Sequence, residues 1–150
     1  MTRITLHKEH AYVTAKTSET CSGGKARSRL EITAPRNTRL HLPRRFFAKI
    51  KLLDNAGNQI DRYAVIFVRK IRPNDRKPAY LADFDYTDFA DLAPDQQDSQ
   101  DNRASLTVDL GHDVTVNPQE TISIEIIGAD AVDWTKPGTV FEFRAAEEVL

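Results

Sequence analysis

Apolar and polar residues alternate along most of this chain, and a period of two is the mark of strands, whose successive side chains point to opposite faces. Ile4 and Leu6 alternate with polar neighbours, as do Leu30 with Ile32 and Leu40 with Leu42. Ala48, Ile50 and Leu52 share one face while Phe47, Lys49 and Lys51 share the other. After Asp54-Asn55-Ala56-Gly57-Asn58, Tyr63, Val65 and Phe67 fall on one side and Ala64, Ile66 and Val68 on the other. The later part repeats the pattern in Leu106/Val108/Leu110, Val114/Val116, Ile122/Ile124/Ile126 and Phe141/Phe143. No long stretch carries the i, i+3, i+4 spacing of an amphipathic helix. The pattern predicts one all-β domain over residues 1–150, an antiparallel β-sandwich or jelly roll of about eight to nine strands. It also predicts a hairpin at Asp54–Asn58, followed by a strand over Tyr63–Val68 covered on both faces in the middle of a sheet.

Two stretches break the alternation and are expected to be long loops. Residues 16–27 are polar and contain Gly23-Gly24. Residues 82–103 carry Asp83, Asp85, Asp88, Asp91, Asp95, Asp98 and Asp101 among Phe84, Tyr86, Phe89 and Leu92. The first half of the second stretch is expected to include a short helix with Phe89 and Leu92 turned inward, and the second half a solvated acidic loop.

Composition adds little, with 40% hydrophobic and 29% charged residues, a soluble globular balance. No run approaches the roughly 18 apolar residues of a spanning helix, and no membrane partner is expected. Met1-Thr2-Arg3-Ile4 has no apolar stretch behind its charge, so a classical secretory signal is not expected. Charge changes the picture more. Up to Lys77 there are 18 Lys and Arg against 6 Asp and Glu; from Pro78 onward there are 3 against 16, and together these return the net −1. Either the two halves lie against each other and cancel, or both signs reach the surface as separate patches that draw in partners. A nucleic-acid partner is disfavoured, because the balance is not basic overall and an acidic segment repels phosphates.

Catalytic motifs are largely missing. Ser22-Gly23-Gly24-Lys25 resembles the end of a phosphate-binding loop, but Ala26 and Glu19 occupy positions that need a hydroxyl and a glycine. His7 and Glu9 fall on one face of a strand and His10 on the other, so they do not converge on a metal. Asp83, Asp85 and Asp88 offer hard oxygen ligands and form a weak calcium candidate, without the glycine and glutamate of an EF-hand. The lone Cys21 excludes an internal disulfide. Trp134, in a polar loop before the last strand, suits either a stacking platform or a plug over the core.

In texture the hairpin-like Lys49-Ile50-Lys51-Leu52-Leu53-Asp54-Asn55-Ala56-Gly57 and the strand Ala104–Gly111 resemble jelly-roll cement, or decoration, proteins of tailed phages. The resemblance spans residues 28–70 and 104–145. It implies a non-enzymatic virion component without cofactor, binding capsid subunits and copies of itself; outside a virus an intracellular location is expected. The expected partner contacts are a basic stripe of Arg36, Arg39, Arg44, Arg45, Lys49 and Lys51 and an acidic patch of Asp83, Asp85, Asp88 and Asp91, with Trp134 a further candidate. Two other classes compete: a carbohydrate-binding module using Trp134, and a metal-dependent enzyme using the aspartate stretch.

Overall fold

The computed structural model describes residues 1–74, 77–90 and 104–150, and the side chains of all these except 16–18, 22, 88, 90 and 104–106. Two antiparallel sheets face each other across an apolar core. Their strands are β1 (Thr2–His7), β2 (Val13–Thr20), β3 (Ala26–Thr33), β4 (Thr38–Leu42), β5 (Arg45–Lys51), β6 (Val65–Ile71), β7 (Ala79–Asp85), β8 (Ala104–Asp109), β9 (Val114–Val116), β10 (Thr121–Gly128) and β11 (Val140–Val149). One short helix, α1 (Thr87–Ala90), follows β7.

The topology is that of one long hairpin rolled up. Strand β6 pairs with β7, β5 with β8, β4 with β9, β3 with β10 and β1 with β11. In every one of these ladders a residue meets one at a similar chain distance on the far side of residues 72–78. Rolling then lays β11 along β4 and β5, and β10 along β6. This is jelly-roll connectivity, with β2 added on the outer edge of β3. Because β1 occupies one edge of β11 over Glu142–Glu147, β5 and β4 must share its other edge in succession. They are two halves of one lane, as are β8 and β9. The eleven strands among the described residues therefore lie in nine lanes, and the excess over the eight or nine expected comes from these two interruptions.

Alternation selects the core. Leu6, Leu30, Ile32, Leu40, Ile50, Ile66, Ile122 and Ile126 are all buried between the sheets, with Phe141 and Phe143 among them. Each such side chain contributes about 1.5–3 kcal/mol by leaving water. Tyr86, just before α1, is also fully buried. Its hydroxyl accepts from the Leu52 N–H at 2.9 Å and donates to Gln59 Oε1 at 3.0 Å, and burial pushes its pKa up to about 12.

Four expectations need correction. Residues 16–27 are not a loop: most of them belong to β2 and β3, joined by a tight turn at Cys21–Lys25. A strand that pairs along one edge only has little need of an apolar face, so its polar sequence hid it. Residues 82–85 likewise belong to β7, and the stretch beyond α1, residues 91–103, lies outside the described residues. Phe89 is buried on α1 as expected, while Leu92 is not among the described residues.

The turn at Asp54–Asn58 exists, with Asp54 Oδ1 accepting from the Ala56 and Asn58 N–H groups and Gly57 at φ +86°. It closes a small local hairpin at the antiparallel Leu53–Gln59 bridge, but it does not join two paired strands, because β5 and β6 belong to different sheets. Strand β6 is interior to its sheet, yet only one face is buried. Tyr63 precedes it and is 74% exposed, and Val65 and Phe67 are half-buried on the outer face. Two apolar faces mark a strand covered by further layers only when such layers exist.

Candidate functional site

The hairpin explains the sorted charge. Its tip coincides with the sign change at Pro78, so the basic arm pairs lane by lane with the acidic arm. Ion pairs join the arms throughout: Arg39 Nη1 to Glu148 Oε1 at 3.1 Å, Arg44 Nε to Asp109 Oδ1 at 3.0 Å, Lys70 Nζ to Glu120 Oε1 at 3.1 Å and Arg69 Nη1 to Glu125 Oε2 at 3.1 Å. Arg45 adds a second contact to Asp109 at 3.3 Å. Arg44, with the Gly111 N–H behind it, pulls the Asp109 carboxyl down to about 2. His41 and then Arg39 hold the Glu148 carboxyl below the ordinary range.

Most of the anticipated basic stripe is thus engaged inside the chain. Arg39, Arg44 and Arg45 have the acidic partners just given, and Lys49 stands opposite Glu142 in the β5–β11 register. Lys51 stands opposite Val140, and Arg36 is exposed in the connection between β3 and β4. The stripe is therefore not one continuous contact surface. Asp83 and Asp85 share the outward face of β7, on the other sheet. The side chain of Asp88, on α1, and the whole of Asp91 lie outside what is described. Among the described residues no group of three His, Cys, Asp or Glu side chains is placed to hold a metal. No helix among the described residues is long and apolar enough to cross a membrane. Trp134 is half-buried against the core and its carbonyl accepts from Lys8 Nζ at 3.0 Å.

The feature that stands out lies where the two split lanes break. Pro43 has no N–H to extend the ladder beyond Leu42, and alongside it Gly111 turns the chain at φ +84°. The interruption is fixed from both sides: Leu110 N–H donates to the Arg44 carbonyl at 2.7 Å, and Arg44 N–H donates to Asp113 Oδ1 at 2.7 Å. Across from it, β11 runs straight. Ala48 pairs with Phe143 and His41 with Ala146, so residues 42–47 bulge opposite only residues 144 and 145.

A groove of about 540 Å³ opens at that mismatch on the outer face of the six-stranded sheet. Leu42, Phe46 and Ala145 form its apolar floor, and Arg3, Arg45, Arg144, His41 and Phe47 stand around it. The register sets Arg3 opposite Ala146 and Arg144 opposite Thr5 on neighbouring strands. The two guanidinium groups are diagonal neighbours on one face, where long side chains reach a common point. Among the described residues neither forms an ion pair, in contrast to Arg39, Arg44, Arg45 and Arg69. The Phe47 ring beside them is 64% exposed. Asp113, the carboxylate on the rim, is already engaged by the Arg44 N–H.

The sequence marked Arg45 as part of a basic stripe and set Phe47 on the face opposite Ala48, but it did not bring Arg3, Arg144 and His41 together. Arg144 was legible only as the polar member of an alternating strand, and nothing local linked it to Arg3. No protein-family model matches the chain, and no curated protein matches it either.

Proposed function

We propose that this protein is a non-enzymatic assembly component that receives an acidic surface of a partner subunit on the grooved face of its six-stranded sheet. The observation that carries this reading is the pair Arg3 and Arg144, left without a carboxylate beside an exposed Phe47, on a molecule whose other arginines are mostly paired. An uncompensated cationic patch steers acidic partners toward it, and an exposed aromatic gives the encounter an anchor. The cement-protein resemblance supports a capsid subunit as that partner. Copies of the chain itself are the second, since Asp83 and Asp85 face outward on the opposite sheet. Contact between two different faces is heterologous and generates rings or chains of copies.

The test is mass by light scattering over a range of protein concentration at low and high salt. A defined oligomer, or higher species that dissolve as salt screens the patch, is expected. Arg3→Glu with Arg144→Glu is expected to abolish them, whereas a monomer under every condition would overturn self-assembly.

A further inference from the structure

We infer that the groove at the lane break is a peptide-binding site whose occupant is an extended acidic segment of a protein partner, with carboxylates flanking one apolar side chain. The inference rests on the assembly reading above and adds what is recognised.

Three properties of the groove select that chemistry. The first is charge: the three guanidinium groups of Arg3, Arg45 and Arg144 surround it against one rim carboxylate, Asp113, whose Oδ1 accepts from the Arg44 N–H. Two unpaired guanidinium groups on one face repel each other, and that repulsion is relieved when an anion bridges them. Guanidinium binds carboxylate through two parallel hydrogen bonds, which gives direction as well as attraction.

The second property is the apolar floor. Leu42, Phe46 and Ala145 line the groove beneath the charges, and the Phe47 ring stands exposed at its side. A bare inorganic anion would leave this surface wet, whereas an apolar side chain beside the carboxylate covers it. The third is room. Ala145 and Ala146 are the small residues of β11 at the mismatch, and a volume of about 540 Å³ takes a few residues of extended chain. His41, between Glu148 at 3.1 Å and Thr115 at 3.4 Å, has both ring nitrogens directed to neighbours. It is a fixed part of the wall rather than a free donor.

The experiment titrates the full-length protein with an acetylated, amidated Asp-Phe-Asp-Leu peptide, followed by calorimetry and by amide shifts in NMR spectra. Parallel titrations use Asn-Phe-Asn-Leu, Asp-Ser-Asp-Ser and inorganic phosphate. The expected result is binding of the first peptide with shifts confined to residues 3, 41–47 and 144–146. Affinity should fall roughly tenfold or more for the Asn peptide, and as much for the protein carrying Arg3→Gln and Arg144→Gln. Ala146→Phe, which fills the groove and leaves the arginines in place, should also weaken it, separating loss of space from loss of charge. Thermal melts confirm that each variant is folded.

Equal binding by the Arg3→Gln, Arg144→Gln protein would overturn the site, as would no binding of the first peptide. Phosphate or Asp-Ser-Asp-Ser binding as tightly as Asp-Phe-Asp-Leu would overturn the apolar part of the recognition. The assembly reading fails separately. A protein that binds the peptide yet stays monomeric in light scattering keeps the groove and loses self-assembly, and one that assembles without binding the peptide does the reverse.

Discussion

The outer faces of the two sheets use the same raw material in opposite ways. On the five-stranded sheet, Glu125 of β10 is only 4% exposed although it points away from the core, because Arg27 and Arg69 close over it from the strands on either side. Phe67 lies under the Arg69 guanidinium at 5.3 Å. Acid sits between two bases, and this part of the face is closed. On the six-stranded sheet, pairing proceeds as far as Arg39–Glu148 and Arg44–Asp109. It then stops at the lane break, where Arg3 and Arg144 remain with an exposed ring and a hollow. The difference teaches that charge sorted along a chain is first a means of joining the arms of a rolled hairpin. What is left unmatched after the arms have met is what a partner can use.

The closed face should be the more fragile one. Replacing both Arg27 and Arg69 by Ala removes both partners of Glu125 and opens it to water, and loss of about 1.5–3 kcal/mol of stability, that of hydrogen bonds to a charged group, is expected in urea unfolding. Glu125→Gln keeps the shape and removes the charge, and should cost less than that pair. If the double arginine variant were as stable as the parent, the closed face would be ornamental and the contrast between faces would fail.

Next in size is an acid effect on the open face. The Asp109 carboxyl is depressed, first by Arg44, to about 2 from an ordinary 3.8. A depressed acid stabilises the fold above its unfolded pKa, and that stabilisation is lost as pH falls through the folded value. Asp109→Asn should therefore melt below the parent at neutral pH, with the gap closing between about pH 4 and 2. A gap independent of pH would mean that the ion pair is not its source.

The smallest effect concerns the groove itself. Arg3→Gln and Arg144→Gln should leave the melting temperature essentially unchanged, because neither side chain is ion-paired and exposed substitutions are usually close to neutral. A clear loss of stability would instead give these arginines a structural task and remove the contrast on which the site rests.

By itself the sequence determined the class, most of the strands and most of the core. Leu30/Ile32, Ala48/Ile50 and Ile122/Ile124/Ile126 alternate strongly enough that no other element could bury them, since period-two patterning and burial are one constraint seen twice. The sign change at Pro78 was equally plain in the sequence. Its meaning was not, because pairing between distant strands leaves no local trace. Only the ladders show that the change falls at the tip of the hairpin and that bases meet acids across the roll. β2 was hidden because an edge strand of polar residues has no apolar face to announce it. The groove was hidden for a deeper reason. It arises from a register mismatch, six residues facing two, between segments about a hundred positions apart in the chain. Neither β11 nor the β4–β5 lane contains the hollow alone, so it exists only once tertiary structure has set one against the other.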